Sequence, residues 1–349
     1  MALRMDNPVK DVTDHGGSLA SAEALFPNAP KPWLDLSTGI NPYSYPLPDF
    51  PASAFARLPE ETSLQELSGI AARTYDAPDG ANIVPAPGTQ ILLPLVAGLI
   101  SPGKAAVLSP TYAEHRRAAA LAGHSVCEVA EFAGLFEADL AILVNPNNPD
   151  GRVIRRRDLL ALAEHMRARG GLLMVDEAFM DVGPQEERLD ADVEAGGIVV
   201  LRSFGKFFGL AGLRLGFAVA ARPLAEALRS RLGPWAVSGP ALAVGLAALS
   251  DIDWQTAMRA RLAKRMAALD VLLAESGFAA AGGTPLFRFL RTREAENLFN
   301  ALGKAGILVR AFDRDRDALR IGLPGSEAAF EKLSAALRHW RENESKVQA

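Results

Sequence analysis

The stretch "SFGKFFGLAGLRLGF", residues 203–217, sets one lysine and then one arginine among glycines and apolar side chains. Burial disfavours a charged ammonium, so Lys206 reads as an amine held near neutrality for a purpose. Reading outward from it decides the fold. Upstream, "LAILVNP", "LLMVDE" and "GIVVLRS" are short apolar runs, and "LRLGFAVA" overlaps the quoted stretch as another. Helical spacing fills several gaps between such runs. "YAEHRRAAALAG" precedes the strand-like "HSVCEV", and "RRDLLALAEHMRARGG" ends on a glycine stop before "LLMVDE". Short apolar strands joined by helical crossovers predict a mainly parallel α/β sheet, buried on both faces, with ligands at the carboxyl ends of its strands.

Polar residues fall at those ends. "NPNNPDG" (145–151) closes one strand, Asp176 in "VDEAF" closes the next, and Ser203 and Lys206 follow the one after. Gly88 and Thr89 open the helix "TQILLPLVAGLI", whose first N–H groups suit an anion. Each feature alone has an ordinary reading, as a turn, a helix cap or a solvated lysine. Together they supply an amine to attack a carbonyl, a carboxylate to pair with a ring nitrogen and an asparagine to donate to a phenolate. Ser203, Arg214 and the helix N-terminus add a cradle for a phosphate. Aldehyde, pyridinium, phenolate and phosphate in one molecule describe pyridoxal 5′-phosphate (PLP).

The bulk properties exclude other classes. Lys and Arg total 37 against 41 Asp and Glu, and the densest basic cluster, "RRRD" (155–158), opens a predicted helix and reads as a solvated face. Nucleic-acid and membrane-surface roles are therefore not expected. Cys127, the single cysteine, rules out an internal disulfide and reads as core filler, and no metal site is expected. No transmembrane run and no signal-peptide core stand out, so a cytoplasmic protein is expected. Neither G-x-G-x-x-G after a first strand nor a P-loop string occurs, which sets aside a nucleotide-binding sheet.

The expected organisation is a proline-rich arm (1–45), a large PLP-binding domain (46–235) and a smaller α+β domain (236–349). "SLQE" (63–66) reads as a capping box opening a helix through about Tyr75. Beyond Pro234 the rhythm changes to a helix at 255–276, the strand "PLFRFLR" and a helix at 294–305. The short strands "GILVRAF" and "ALRIGL" and a closing helix complete it.

"NPNNPDG", "VDEAF" and the string S-x-x-K-x-x-x-L-A-G-x-R-x-G resemble the fold-type I PLP enzymes, the aspartate aminotransferase superfamily. Their spacing is most similar to the histidinol-phosphate aminotransferase branch. The resemblance implies an aspartate aminotransferase-like fold and a homodimer. It implies that Lys206 forms a Schiff base with the cofactor, Asp176 pairs with the pyridine nitrogen and Asn148 contacts the ring hydroxyl. Ser203, Arg214 and the Gly88–Thr89–Gln90 turn would hold the phosphate, Tyr112 would stack on the ring, and Arg320 would bind a substrate carboxylate. The arm "HGGSLASAEALFPNAPKPWLDLSTGINPYSYP" (15–46) resembles the start of the threonine-phosphate decarboxylases of cobalamin biosynthesis. This implies decarboxylation of L-threonine O-3-phosphate, a phosphorylated amino acid, to (R)-1-amino-2-propanol O-2-phosphate. An aminotransferase acting on histidinol phosphate or an aromatic amino acid stays open, as does a PLP-binding regulator. His15, Asn41 and Arg310 are candidates for the substrate's phosphate or carboxylate. Two positions depart from the aminotransferase pattern. Phe179 stands where a tyrosine usually donates to the ring oxygen, and Leu58 stands where a tyrosine reaches the neighbouring subunit's cofactor.

Overall fold

The computed structural model describes residues 16–347. After a two-residue strand β1 (Leu34–Asp35), the chain supplies β2 (Ile83–Ala86), β3 (Lys104–Leu108), β4 (Ser125–Val129) and β5 (Leu140–Val144). Then follow β6 (Leu172–Asp176), β7 (Ile198–Ser203) and β8 (Gly216–Ala220). β2 to β8 form one sheet in the order β2–β8–β7–β6–β5–β3–β4. From β7 to β4 the pairings are parallel, whereas β8 runs antiparallel to both its neighbours. The expectation of a mainly parallel sheet holds. β8 reverses because residues 204–215 stay at the sheet's end, as the one-turn helix Phe204–Phe207 and the 3₁₀ turn Ala211–Leu213. A parallel return needs a connection that travels back along the strand.

Both faces of this sheet are covered. Helices Thr89–Ala97, Glu114–Leu121 and Arg222–Leu232 pack with Met174, Leu201 and Ala218 on one face. Helices Glu61–Tyr75, Arg156–Ala168 and Ile252–Glu275 pack with Val175, Val200 and Phe217 on the other. The second core runs on without interruption to Phe287, Leu319 and Ile321. Those residues belong to a four-stranded antiparallel sheet of β9 (Ala280–Thr284), β10 (Phe287–Arg291), β12 (Arg310–Ala311) and β13 (Ala318–Gly322), ordered β12–β13–β10–β9. "GILVRAF" is divided in use: β11 (Ile307–Leu308) pairs with β1 of the arm, and β12 turns to pair with β13. Helix Gly239–Ser250 packs on helix Glu61–Tyr75, where Thr74 Oγ1 donates to the Leu249 carbonyl at 3.1 Å.

Some local expectations fail for identifiable reasons. The helix predicted to open on "SLQE" begins at Glu61 with Glu60 as its cap, and no side chain caps it. Ser63 therefore lies inside the first turn, and no capping box forms. β2 escapes recognition because it carries Pro85, which an edge strand tolerates. β9, "AAGGT", is also an edge strand and lacks any apolar alternation.

The glycines of β9 have a steric purpose. A Cβ built on Gly282 would lie 2.1 Å from the Asp150 carbonyl oxygen, and one on Gly151 would lie 2.2 Å from the Gly283 carbonyl oxygen. The loop after β5 and the edge of the small sheet thus touch backbone to backbone. Gly282→Ala should cost about 2 kcal/mol and lower the melting temperature by about 5 °C, as overpacking against rigid backbone does. Calorimetry reads this directly, and an unchanged melting temperature would mean that the seam gives way freely.

Candidate active site

Side chains alternate across a strand, so residues two apart share a face. Met174 and Leu201 face the core beneath helix Thr89–Ala97, and that alternation carries Asp176 and Ser203 onto the same side at the strand ends. Asp176 is buried and fixed by two donors: its Oδ2 lies 3.0 Å from His115 Nε2, and its Oδ1 accepts the Ala178 N–H at 3.0 Å. A carboxylate opposite Nε2 makes that nitrogen the donor. His115 Nδ1 has no partner among the described residues, and the ring is wholly buried.

Lys206 sits on the one-turn helix after β7, with Nζ 5.8 Å from the centroid of the Phe179 ring. Phe179, which stands where the aminotransferase pattern has a tyrosine, gives the amine an apolar wall. Burial pulls Lys206 down from the usual 10.5 to about 8; Arg320 and Arg214 push the same way, and Asp176 opposes them. The turn is pinned from behind by Asn41. Its N–H donates to the Lys206 carbonyl at 2.9 Å, its Nδ2 donates to the Phe207 carbonyl at 2.7 Å, and its Oδ1 accepts the Tyr43 N–H at 2.9 Å.

A cradle for an anion forms beside them. Gly88 has φ +83°, and a Cβ there would lie 2.7 Å from Arg214 Nη2. Arg214 itself is left-handed at φ 56°, and a Cβ on Gly216 would lie 2.7 Å from the Thr89 nitrogen. Gly216 is the register partner of Ser203, so Gly88, Thr89, Ser203 and Arg214 converge at the start of helix Thr89–Ala97, which no side chain caps. Tyr112 O–H donates to Gln90 Oε1 at 3.1 Å, and Gln90 Nε2 donates to Glu114 Oε2 at 2.8 Å. Tyr112 stands edge-on to His115 with centroids 5.8 Å apart; burial, then Glu114 and Asp176, push its hydroxyl up to about 12.

The third group comes from the small sheet. Arg320 donates through Nη1 to Asn148 Oδ1 and through Nη2 to the Ser37 carbonyl at 2.6 Å. Arg310 is its register partner across β12 and β13, which places two cations side by side on one face. Burial and then Arg310 bring Arg320 down to about 10, with Asp35 opposing.

The structure thus gathers most of the residues singled out in the sequence and gives Asn41 a backbone-holding place behind Lys206. His15 lies outside the described residues. His115 and Glu114 escaped the sequence reading. Their one signal is the three-residue spacing of Tyr112 and His115, which puts a buried imidazole in need of a partner beside the ring.

The arrangement suits PLP. The glycine-made cradle could take a phosphate, the fixed Asp176 carboxylate a cationic ring nitrogen, and the depressed amine an aldehyde. A lowered amine also has a thermodynamic signature in the cofactor-free protein. Its folded value lies below its unfolded value, so the unfolded chain binds the extra proton between about pH 8 and 10.5. The destabilisation is full below pH 8 and fades as pH rises through 10.5. Lys206→Met should therefore stabilise the cofactor-free protein by roughly 2 kcal/mol at pH 7 and by much less at pH 10.5. Urea unfolding at both pH values measures this, and equal gains would disprove the destabilised amine.

Residues 62–337 match the family described as aminotransferase class I and II. A threonine-phosphate decarboxylase of Pseudomonas aeruginosa is 43% identical over 332 residues, which is 94% of this chain and 98% of that protein. A threonine-phosphate decarboxylase of a Sinorhizobium species is 42% identical over 325 residues, 93% of this chain and 97% of that one. The fold is similar to the crystal structure of histidinol-phosphate aminotransferase from Sinorhizobium meliloti in complex with pyridoxal-5′-phosphate. There the TM-score is 0.81 at 19% identity, over 98% of this chain and 99% of the other. With a strand-end lysine and carboxylate on such a sheet, and matches of this length, the chain belongs to the aminotransferase class I and II family.

Proposed function

We propose that this protein binds PLP and decarboxylates L-threonine O-3-phosphate to (R)-1-amino-2-propanol O-2-phosphate. The observation that carries the reading is the buried Arg320 guanidinium that acts on the Lys206 amine from the small sheet. Arg310 and Arg320 stand in register on one face, and two cations there match a substrate that brings both a carboxylate and a phosphate. Near-full-length relatives named for this activity support it.

When bound, PLP supplies a conjugated ring that accepts the electron pair left on Cα as CO₂ departs. The protein does the rest. Lys206, unprotonated in part near neutral pH, would be the amine that holds the cofactor aldehyde and the group that carries a proton to Cα. Asp176, aimed by His115 and the Ala178 N–H, would keep the ring nitrogen's proton in place. The Gly88 turn, Ser203 and Arg214 would hold the cofactor phosphate, and Tyr112, fixed by Gln90, would cover the ring. Asn148, paired with Arg320, would donate to the ring oxygen and so tie substrate recognition to cofactor orientation. Arg320 grips the substrate carboxylate, and Arg310 with His15 is assigned to its phosphate.

A homodimer belongs to the same proposal, supported by the exposure of Phe55, Leu58 and Trp235. So does a cytoplasmic setting; no helix among the described residues is long and apolar enough to cross a membrane.

Single-turnover mixing of the PLP-loaded protein with L-threonine O-3-phosphate tests the reading. CO₂ release with the cofactor absorbance returning to its starting form is expected. Pyridoxamine phosphate formed without CO₂ would make the protein an aminotransferase instead. Arg320→Lys keeps the charge but loses the planar fork, and kcat/KM should fall about 100-fold. A loss below threefold would remove Arg320 from substrate binding.

A further inference from the structure

On the sheet face opposite Asp176 and Ser203 lies a buried charge cluster that the mechanism does not use. Arg202 is fully buried. Its Nη1 donates to Glu177 Oε2 at 2.9 Å, Nη2 lies 3.5 Å from Asp181 Oδ1, and Nε lies 3.6 Å from Asp190 Oδ1. The guanidinium carbon stands 4.5 Å from the centroid of Tyr75. Arg259 reaches in from helix Ile252–Glu275, donating through Nε to the Asp181 carbonyl at 2.7 Å, with its guanidinium carbon 4.9 Å from the Phe207 ring centroid. Arg188 acts on Glu177 and Asp190 from the segment before the 3₁₀ turn Asp190–Ala195.

Buried ion pairs are weak sources of stability, because desolvation offsets most of the attraction. Their value lies in geometry, and here the geometry is specific. Glu177 directly follows Asp176, and Arg202 directly precedes Ser203. Alternation sends each member of the two dipeptides to opposite faces. The bond between Arg202 and Glu177 therefore joins, from below, the two strand ends whose upper faces carry Asp176 and Ser203. The Glu177 N–H adds a donation to the Leu201 carbonyl at 2.9 Å, and Glu177 Oε1 accepts the Leu189 N–H at 3.2 Å. Arg259 extends the same cluster to Phe207, the residue after Lys206.

We propose that the Arg202–Glu177 pair, held among Asp181, Asp190 and Arg259, is a positioning element that sets the placement of Asp176, Ser203 and the Lys206 turn from the far side of the sheet. The inference rests on reading Lys206 and Asp176 as the pair that holds the cofactor. The groups bearing on the amine itself are Asp176, Arg214 and Arg320. Their distances to Nζ change when the strand ends move.

Arg202→Lys keeps the charge and loses the fork shared by three carboxylates, while Glu177→Gln keeps the volume and loses the charge. In the PLP-loaded variants, the midpoint of the cofactor's absorbance change with pH should move by about half a unit or more. The kcat should fall about tenfold or more with KM little changed. A second midpoint, that of the free Lys206 amine, is read independently in the full-length protein stripped of PLP, from the pH dependence of Lys206 acetylation followed by mass spectrometry, and it should move as well. A variant that melts lower yet keeps both midpoints and kcat would overturn the proposal and leave an ordinary core ion pair. Should Arg202→Lys fail to fold, Glu177→Gln decides on the same readings. If the parent binds no PLP or releases no CO₂, the functional reading fails, and the acetylation midpoint still decides the positioning role.

Discussion

Lys206 is half-buried by the fold around it, and the surroundings that lower its proton affinity also lower the stability of the folded chain. The position tolerates this because the turn carrying it is fixed from several directions. Asn41 ties the Lys206 and Phe207 backbones to the arm, and Gly205 lies so close to Ala211 that a Cβ there would approach its Cα to 2.8 Å. Arg320 and Arg214 reinforce the effect of burial, and Asp176 opposes it, so the amine rests between opposing fields. Three separate parts of the chain thus set one equilibrium: the end of β6, the turn before β8 and the small sheet.

The strand's two-residue period organises the rest. At the ends of β6 and β7 it divides neighbouring residues between a polar upper face and a lower face that continues into the main core. Charge is admitted on both sides, yet for different ends. Above, Asp176 and Ser203 stand at the strand ends on the side of helix Thr89–Ala97. Below, Arg202 is closed in by carboxylates and an aromatic ring. Such a sheet transmits displacement well, since a side chain and its successor share one peptide unit.

Much of this was legible in the residues. The apolar runs ending in "NPNNP", "VDE" and "LRS" marked β5, β6 and β7 and their functional ends, because a buried parallel strand has little freedom in composition. The direction of β8 was not legible, since it depends on how tightly residues 204–215 coil at the sheet's end. β2 and β9 were hidden by Pro85 and by glycines, which edge strands accept and local patterns read as breaks. Asn41 reads locally as a ligand residue of a proline-rich arm, and its hold on the Phe207 carbonyl, 166 positions away, has no local signal. His115 and the Arg202 cluster were invisible for the same reason. Their meaning lies in partners from other elements, which no local spacing encodes.

The contact between Gly151 of the loop after β5 and Gly282–Gly283 of β9 has a consequence for recombination. Backbone meets backbone there, with no side chain to act as an adjustable spacer. A chimera that imports the small sheet from a relative must therefore bring a matching loop after β5, or the two surfaces will collide or gape. Asn148 lies in that loop and Arg320 on the small sheet, joined by a hydrogen bond. Segments that look like separable modules along the chain thus form a single heritable unit at the place where cofactor and substrate would meet.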